Sequence, residues 1–309
     1  MWNCYFGDPN NHFTWTTRTA VRKDDIFRFA NNLYSTDVKR VFLAGGDPTQ
    51  LNFLPDLIQT ISQQGIDTAI STNGILMSEE LTIKLAEAGL NTVFFSIDSP
   101  TSEYYDVKRG KWAESIAGLR TAIRLRIERD YDYNIGVYMV VTKENVHMIP
   151  EMVQFVKNEG ADYVEYQPVS LSPDHVLYDS LDFTTSTEAT AEFISKIQMV
   201  KSYEGLTMPS EIYRQILYEV LMHNTITVRN CFGGKSLFFV DPLGDVWPCP
   251  SGRRKQPEDN MGNIITSSQE DLHELLTLSG RDGLGKACSK CDRDCVCMFE
   301  LTTSKIWQE

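Results

Sequence analysis

Cysteine is the residue type whose spacing in this chain points most directly to chemistry. Seven are present: Cys4, Cys231, Cys249, Cys288, Cys291, Cys295 and Cys297. Four fall within ten positions as Cys288-x2-Cys291-x3-Cys295-x1-Cys297, and upstream the pattern is Cys231-x12-Gly244-x4-Cys249. Thiolates are soft ligands for zinc or iron–sulfur clusters, and a two-residue loop lets two sulfurs reach one metal centre. The opening residues Met1 to Asp8 have neither a basic start nor an apolar stretch, so no secretory signal is read and a cytoplasmic chain is expected. In that setting such crowding favours metal ligation over disulfides.

A second group is polar and recurs after short apolar runs. Gly45-Gly46-Asp47-Pro48-Thr49 follows Val41 to Ala44, Ser71-Thr72-Asn73-Gly74 ends the run Thr68 to Ser71, and Ser96-Ile97-Asp98-Ser99 ends Thr92 to Ile97. Gln167-Pro168 follows Tyr163 to Tyr166. Two glycines beside a carboxylate permit close backbone approach and offer an acceptor for an ammonium group. Taken alone, Gly-Gly-Asp is also an ordinary strand-to-helix turn. Three polar clusters on one rim make that reading less attractive together than singly.

These residues need elements to hold them. Most of the apolar runs, with Ile135 to Val141 as a fifth, are continuous and not alternating, as expected of parallel strands covered on both faces. Between them lie helical stripes, Phe53, Leu54, Leu57, Ile58 and Ile61, then Leu81, Leu85 and Ala88 behind Ser78 as N-cap. Gly65-Ile66-Asp67, Gly89-Leu90-Asn91 and Gly160-Ala161-Asp162 each close a helix and lead into a strand. The pattern is one of stacked βα units, in a doubly wound sheet or a partial barrel, and both place ligands at the carboxyl ends of the strands.

Composition bounds the partners. With 29 Lys+Arg against 42 Asp+Glu the net charge is −13, and the one dense basic run is Arg253-Arg254-Lys255, so no nucleic-acid partner is expected. No stretch reaches the roughly 18 uninterrupted apolar residues of a membrane span, so no membrane partner is expected either. The histidines His12, His147, His175, His223 and His273 lack zinc spacing, and His175 alone is placed near the rim, as a candidate substrate contact.

With its landmarks in this order, and Lys108-Arg109-Gly110 after them, the chain resembles radical S-adenosylmethionine (radical SAM) enzymes. Cys-x12-Gly-x4-Cys followed by Cys-x2-Cys is similar to their SPASM or twitch auxiliary-cluster domain. The resemblance implies an α/β fold, a partial (β/α)6 TIM-like barrel in 1–170 with its first strand missing, a helical connector in 171–230 and a small cysteine-rich SPASM/twitch domain in 231–309. It implies that Gly45, Gly46 and Asp47 hold the methionine amine of S-adenosylmethionine, where the family usually has Glu in the third position. By the same resemblance Ser96 approaches the methionine carboxylate, and residues around Val140 and Gln167 the adenosine.

An auxiliary [4Fe-4S] cluster would take Cys231, Cys249, Cys288 and Cys291. Cys295 and Cys297 add further metal ligands, spaced more tightly than the family's full seven-cysteine pattern. The Cys-x3-Cys-x2-Cys loop of the catalytic cluster is absent from this sequence, which points to an N-terminally truncated chain or to a natural cluster-less relative. Cys4 is either the last cysteine of that loop or a neighbour just beyond it. The implied activity is generation of a 5′-deoxyadenosyl radical and hydrogen abstraction from a peptide or a sugar or nucleoside small molecule, with a flavodoxin or ferredoxin as reductant. The rival is a non-catalytic binding protein with a barrel and a structural zinc or iron–sulfur tail.

Overall fold

The computed structural model describes residues 21–169, 171, 175–200, 202–223, 234, 237–248 and 260–277. A five-stranded sheet runs in the order β1 (Arg40–Leu43), β2 (Asp67–Thr72), β3 (Thr92–Ser96), β4 (Asn134–Val141) and β5 (Tyr163–Pro168). Every pairing is parallel, and each strand pairs with its neighbour in sequence. The strands lie where the apolar runs predict them.

The crossover helices are α2 (Leu54–Ser62), α3 (Glu79–Glu87), α4 (Ser102–Lys108) with α5 (Trp112–Arg129), and α6 (Ile149–Glu159). Leu54, Leu57, Ile58 and Ile61 of α2 are all buried, one stripe at i, i+3, i+4 and i+7. Ser78 caps α3, its Oγ accepting the Leu81 N–H at 3.2 Å, with Glu79 and Glu80 in the first turn. Gly65, Gly89 and Gly160 take φ of 73°, 91° and 88° where the helices give way to strands.

The two faces of the sheet differ, which corrects the expectation of cover on both. Ile70, Val93, Phe95, Ile135, Val137 and Val164 lie fully buried against the helices. The opposite face carries Phe42, Ser71, Phe94, Ser96, Tyr138, Glu165 and Gln167, all partly exposed. Aromatic Phe42, Phe94 and Tyr163 line it with ring centroids 5.9 and 6.3 Å apart, which is why the runs read as continuously apolar.

Beyond β5 come α7 (Tyr178–Leu181), α8 (Thr187–Met199) and α9 (Glu211–His223). Phe193 and Ile197 of α8 and Tyr213 and Leu217 of α9 join the main core, so this segment packs as part of the α/β unit. Thr207 forms a parallel bridge with Tyr163, donating its N–H to the Asp162 carbonyl at 2.7 Å and accepting that of Val164 at 2.9 Å. One sixth-strand position thus extends the sheet beside β5.

A second, antiparallel sheet holds β6 (Phe239–Val240), β7 (Asp245–Trp247) and β8 (Gly262–Asn263), followed by α10 (Gln269–Leu276). Buried Asp241 accepts from the Leu243 N–H at 2.8 Å, the Asp245 N–H at 3.1 Å and Trp247 Nε1 at 2.9 Å. Gly244, singled out in the cysteine pattern, makes this turn at φ 82°; a Cβ there would stand 3.1 Å from both Val21 and Ile264. The unit docks on the segment around α1 (Lys23–Asn31), with the Val21 N–H on the Pro242 carbonyl at 3.0 Å and His273 Nε2 against the Ser35 carbonyl at 2.7 Å.

Candidate functional site

Asp47 is the hub of the rim at the carboxyl ends of β1 and β2. Its side chain is buried and caps the short 3-10 turn Pro48–Gln50. Oδ1 accepts the Thr49 N–H at 3.1 Å and the Thr49 hydroxyl at 2.6 Å, and Oδ2 accepts the Asn73 N–H at 2.8 Å. The Thr72 hydroxyl stands 3.0 Å from both oxygens. Four donors meet about four lone-pair positions, so the carboxylate is saturated and welds the Gly45–Thr49 loop to the Ser71–Gly74 loop. Gly45 and Gly46, at φ 91° and 53°, stay exposed beside it, and a Cβ on Gly46 would meet nothing within 4 Å. The rim backbone there is open to a ligand.

The Asn73 side chain accepts the Ile75 N–H on its Oδ1 at 2.8 Å and steadies the second loop. Behind it, α5 approaches so closely that a Cβ on Gly118 would stand 2.1 Å from the Gly74 carbonyl oxygen. Ser71 and Ser96 face each other across β2 and β3 with their hydroxyls 3.3 Å apart. The Tyr105 hydroxyl donates to the Ser96 carbonyl at 3.2 Å, which fixes where β3 ends.

The third loop is organised by Asp98. Its Oδ1 accepts the Val140 N–H at 2.9 Å, and its Oδ2 pairs with the Arg109 guanidinium; the two side chains are only 5% and 17% exposed. The Asn145 amide donates to the Asp98 and Val140 carbonyls, both at 3.0 Å, closing the same junction from α6's side. Tyr104, next to Thr142 and Glu144, has its phenol pushed up to about 12, mainly by burial.

Glu165 lies deeper on the open face. In register it opposes Tyr138, which opposes Ser96, so the three form one row across β5, β4 and β3. Gln167 and Val140 make the next row toward the rim. Glu165 Oε2 is buried with no hydrogen-bond partner among the described residues, and burial pushes the carboxyl up to about 8.

Of the residues expected from sequence, Gly45, Gly46, Asp47, Ser96 and Gln167 lie at or next to the carboxyl end of the one sheet. His175 is buried in the segment after β5, its Nδ1 accepting the Leu177 N–H at 3.0 Å. Cys4, Cys231, Cys249, Cys288, Cys291, Cys295 and Cys297 lie outside the described residues. Among the described residues no group of three or more His, Cys, Asp or Glu could hold a metal ion. Sequence reasoning does not single out Glu165 or Asn145, and it pairs neither Thr72 with Asp47 nor Arg109 with Asp98. A lone Glu in the otherwise apolar and aromatic run Tyr163 to Tyr166 was the available signal for the first.

The Radical SAM superfamily profile matches residues 2–156, half of the chain. The chain belongs to the radical SAM superfamily. It is 33% identical over 299 residues to the tungsten-containing aldehyde ferredoxin oxidoreductase cofactor-modifying protein of Pyrococcus furiosus, covering 86% of this chain and 77% of that one. It is 25% identical over 233 residues to the PqqA peptide cyclase of Bradyrhizobium diazoefficiens, covering 73% of this chain and 57% of the relative. Among solved structures, Streptococcus suis SuiB bound to precursor peptide SuiA superposes with TM-score 0.63 at 17% identity over 94% of this chain and 67% of that one, a likeness of fold. The parallel sheet is thus a radical SAM partial barrel.

Membership implies S-adenosylmethionine and a [4Fe-4S] cluster. The described residues fit the former: exposed glycine backbone at the rim, the paired hydroxyls of Ser71 and Ser96, and an open face below them. Among the described residues no helix is long and apolar enough to cross a membrane.

Proposed function

We propose that this radical SAM chain is an enzyme that binds S-adenosylmethionine across Gly45, Gly46, Asp47, Ser96 and Gln167 and abstracts hydrogen from a peptide or from a sugar or nucleoside small molecule. The observation that carries the reading is the rim itself, where a saturated carboxylate holds two loops so that exposed glycine backbone faces the open side of a parallel sheet. The Gly45 and Gly46 backbone would receive the methionine amine, with Asp47 fixing their conformation and supplying negative charge behind them. Ser96 would donate its hydroxyl to the methionine carboxylate, and Gln167 with Val140 would border the adenosine. When bound, the reduced cluster and S-adenosylmethionine together supply the 5′-deoxyadenosyl radical; the protein's part is placement.

The likeness to a PqqA peptide cyclase supports a peptide as one substrate class. The Gly244 turn and its docking on the segment around α1 support a compact C-terminal unit in which Cys231, Cys249, Cys288 and Cys291 hold an auxiliary [4Fe-4S] cluster as a SPASM/twitch domain, with Cys295 and Cys297 beside them. A flavodoxin or ferredoxin would be the electron donor.

The test is metal analysis and calorimetry on anaerobically reconstituted protein. Iron with labile sulfide, and S-adenosylmethionine binding that weakens in Asp47→Ala, are the expected results. Zinc in place of iron, with no S-adenosylmethionine binding, would replace the enzyme by a binding protein with a structural metal tail.

A further inference from the structure

Glu165 has no part in the reading above. It stands one pleat below the rim on the open face, while its neighbours Val164 and Tyr166 point into the helix-covered core. Among the described residues, the carboxylates that follow β1, β3 and β4 are committed: Asp47 to Thr49, Thr72 and Asn73, Asp98 to Arg109 and Val140, and Glu144 to Lys108. Glu165 has no ion pair among the described residues, and its Oε2 is buried and unpartnered. A buried acceptor left unpaired carries its full desolvation cost, which a ligand that reaches it can relieve.

The surrounding residues narrow what that ligand carries. Ser71, Ser96, Tyr138 and Gln167 on the same face are neutral groups that can hydrogen-bond to a carbonyl, a hydroxyl or an amide. A glutamine at 165 would add to that set at lower cost. What a carboxyl adds to a neutral face is the capacity to become an anion opposite a cation, in a setting where the pair is poorly screened.

We propose that Glu165 is a substrate-binding residue and that the substrate presents a cationic nitrogen to it, as a lysine-like ammonium group does. This rests on the reading of the open face as the place where substrate meets S-adenosylmethionine. Glu165 is two strands from Ser96, about 10 Å, so the cation anchors the substrate at a point separate from the rim residues. On binding, the neutral carboxyl gives up its proton to solvent and the carboxylate pairs with the ammonium. Burial already keeps Glu165 protonated near neutral pH, so this change has a signature that can be read.

The experiment is infrared difference spectroscopy on the full chain, adding Nα-acetyl-lysine-N-methylamide or its uncharged counterpart Nα-acetyl-norleucine-N-methylamide. The lysine probe should bleach the protonated-carboxyl C=O band and raise a carboxylate band; the norleucine probe should do neither. Glu165→Gln, isosteric and checked for folding by circular dichroism, should lack the response and bind the lysine probe at least tenfold more weakly. An equal response to both probes, or a lysine response that survives in Glu165→Gln, overturns the proposal. A band bleached by S-adenosylmethionine alone also overturns it, by assigning Glu165 to the cofactor. S-adenosylmethionine affinity, measured in the same samples, tests the functional reading separately: its absence defeats that reading, while an unaltered affinity with no lysine response defeats this inference alone.

Discussion

The Thr72 hydroxyl lies 3.0 Å from both carboxylate oxygens of Asp47, so one side chain of β2 holds the loop that follows β1. Thr72→Val keeps the shape and removes a donor. The expected loss is about 1–3 kcal/mol of stability, since the buried carboxylate is left one partner short. S-adenosylmethionine affinity should fall with it, because the Gly45–Gly46 backbone loses its anchor. Denaturant melts beside calorimetry check this; a lowered stability with full affinity would make the hub a folding device alone.

Breaking the Asp98–Arg109 pair should cost more. With both side chains mostly buried, Arg109→Ala strands a carboxylate that also holds the Val140 N–H. A loss of about 3–5 kcal/mol is expected. Arg109→Ala with Asp98→Asn should recover part of it, and equal losses in the single and double variants would show that the pair is not what holds this junction.

Stability should also respond to pH through Glu165. Its carboxyl is raised from an ordinary 4.5 to about 8 in the folded protein, so the unfolded chain ionises first. Stability from this group is therefore full below about 4.5, is lost as pH climbs toward 8, and changes little above that. At about 1.4 kcal/mol per pH unit the loss amounts to a few kcal/mol. Glu165→Gln should therefore gain on the wild type with rising pH and converge with it near pH 4. Parallel stability curves from pH 4 to 8 would show that the carboxyl is solvated.

Cys288→Ala with Cys291→Ala should lower the iron bound per chain and make the C-terminal segment easier to cleave by protease. Iron analysis with limited proteolysis decides it, and unchanged iron would move the ligand assignment to other cysteines.

All five parallel strands were legible because their apolar runs are bounded by turn residues, and Ser78 was legible as a cap because its hydroxyl acts three residues away. The exposure of one face was not, because Phe94 and Tyr163 are as apolar in sequence as the buried Val93 and Val164. Nor were the pairings at the site. Thr72 meets Asp47 across 25 residues and Asn145 meets Asp98 across 47, distances that only the strand register brings together. Glycines and carboxylates named the rim, but their partners came from the fold.

The neighbour-to-neighbour order of β1 to β5 has a consequence for how the chain folds. Each strand needs only the strand made just before it, so the sheet can grow unit by unit during synthesis, with one helical crossover to close at each step. The contacts of β6 to β8 and α10 with the segment around α1 break that order, for the hydrogen bond between His273 and the Ser35 carbonyl joins residues 238 positions apart. Docking of that hairpin and helix should therefore be the slow, final event. Pulse-labelled hydrogen exchange would detect it as late protection of the Val21 and Asp37 amides, which donate to the Pro242 and Leu276 carbonyls, after those of β3 and β4 are already closed.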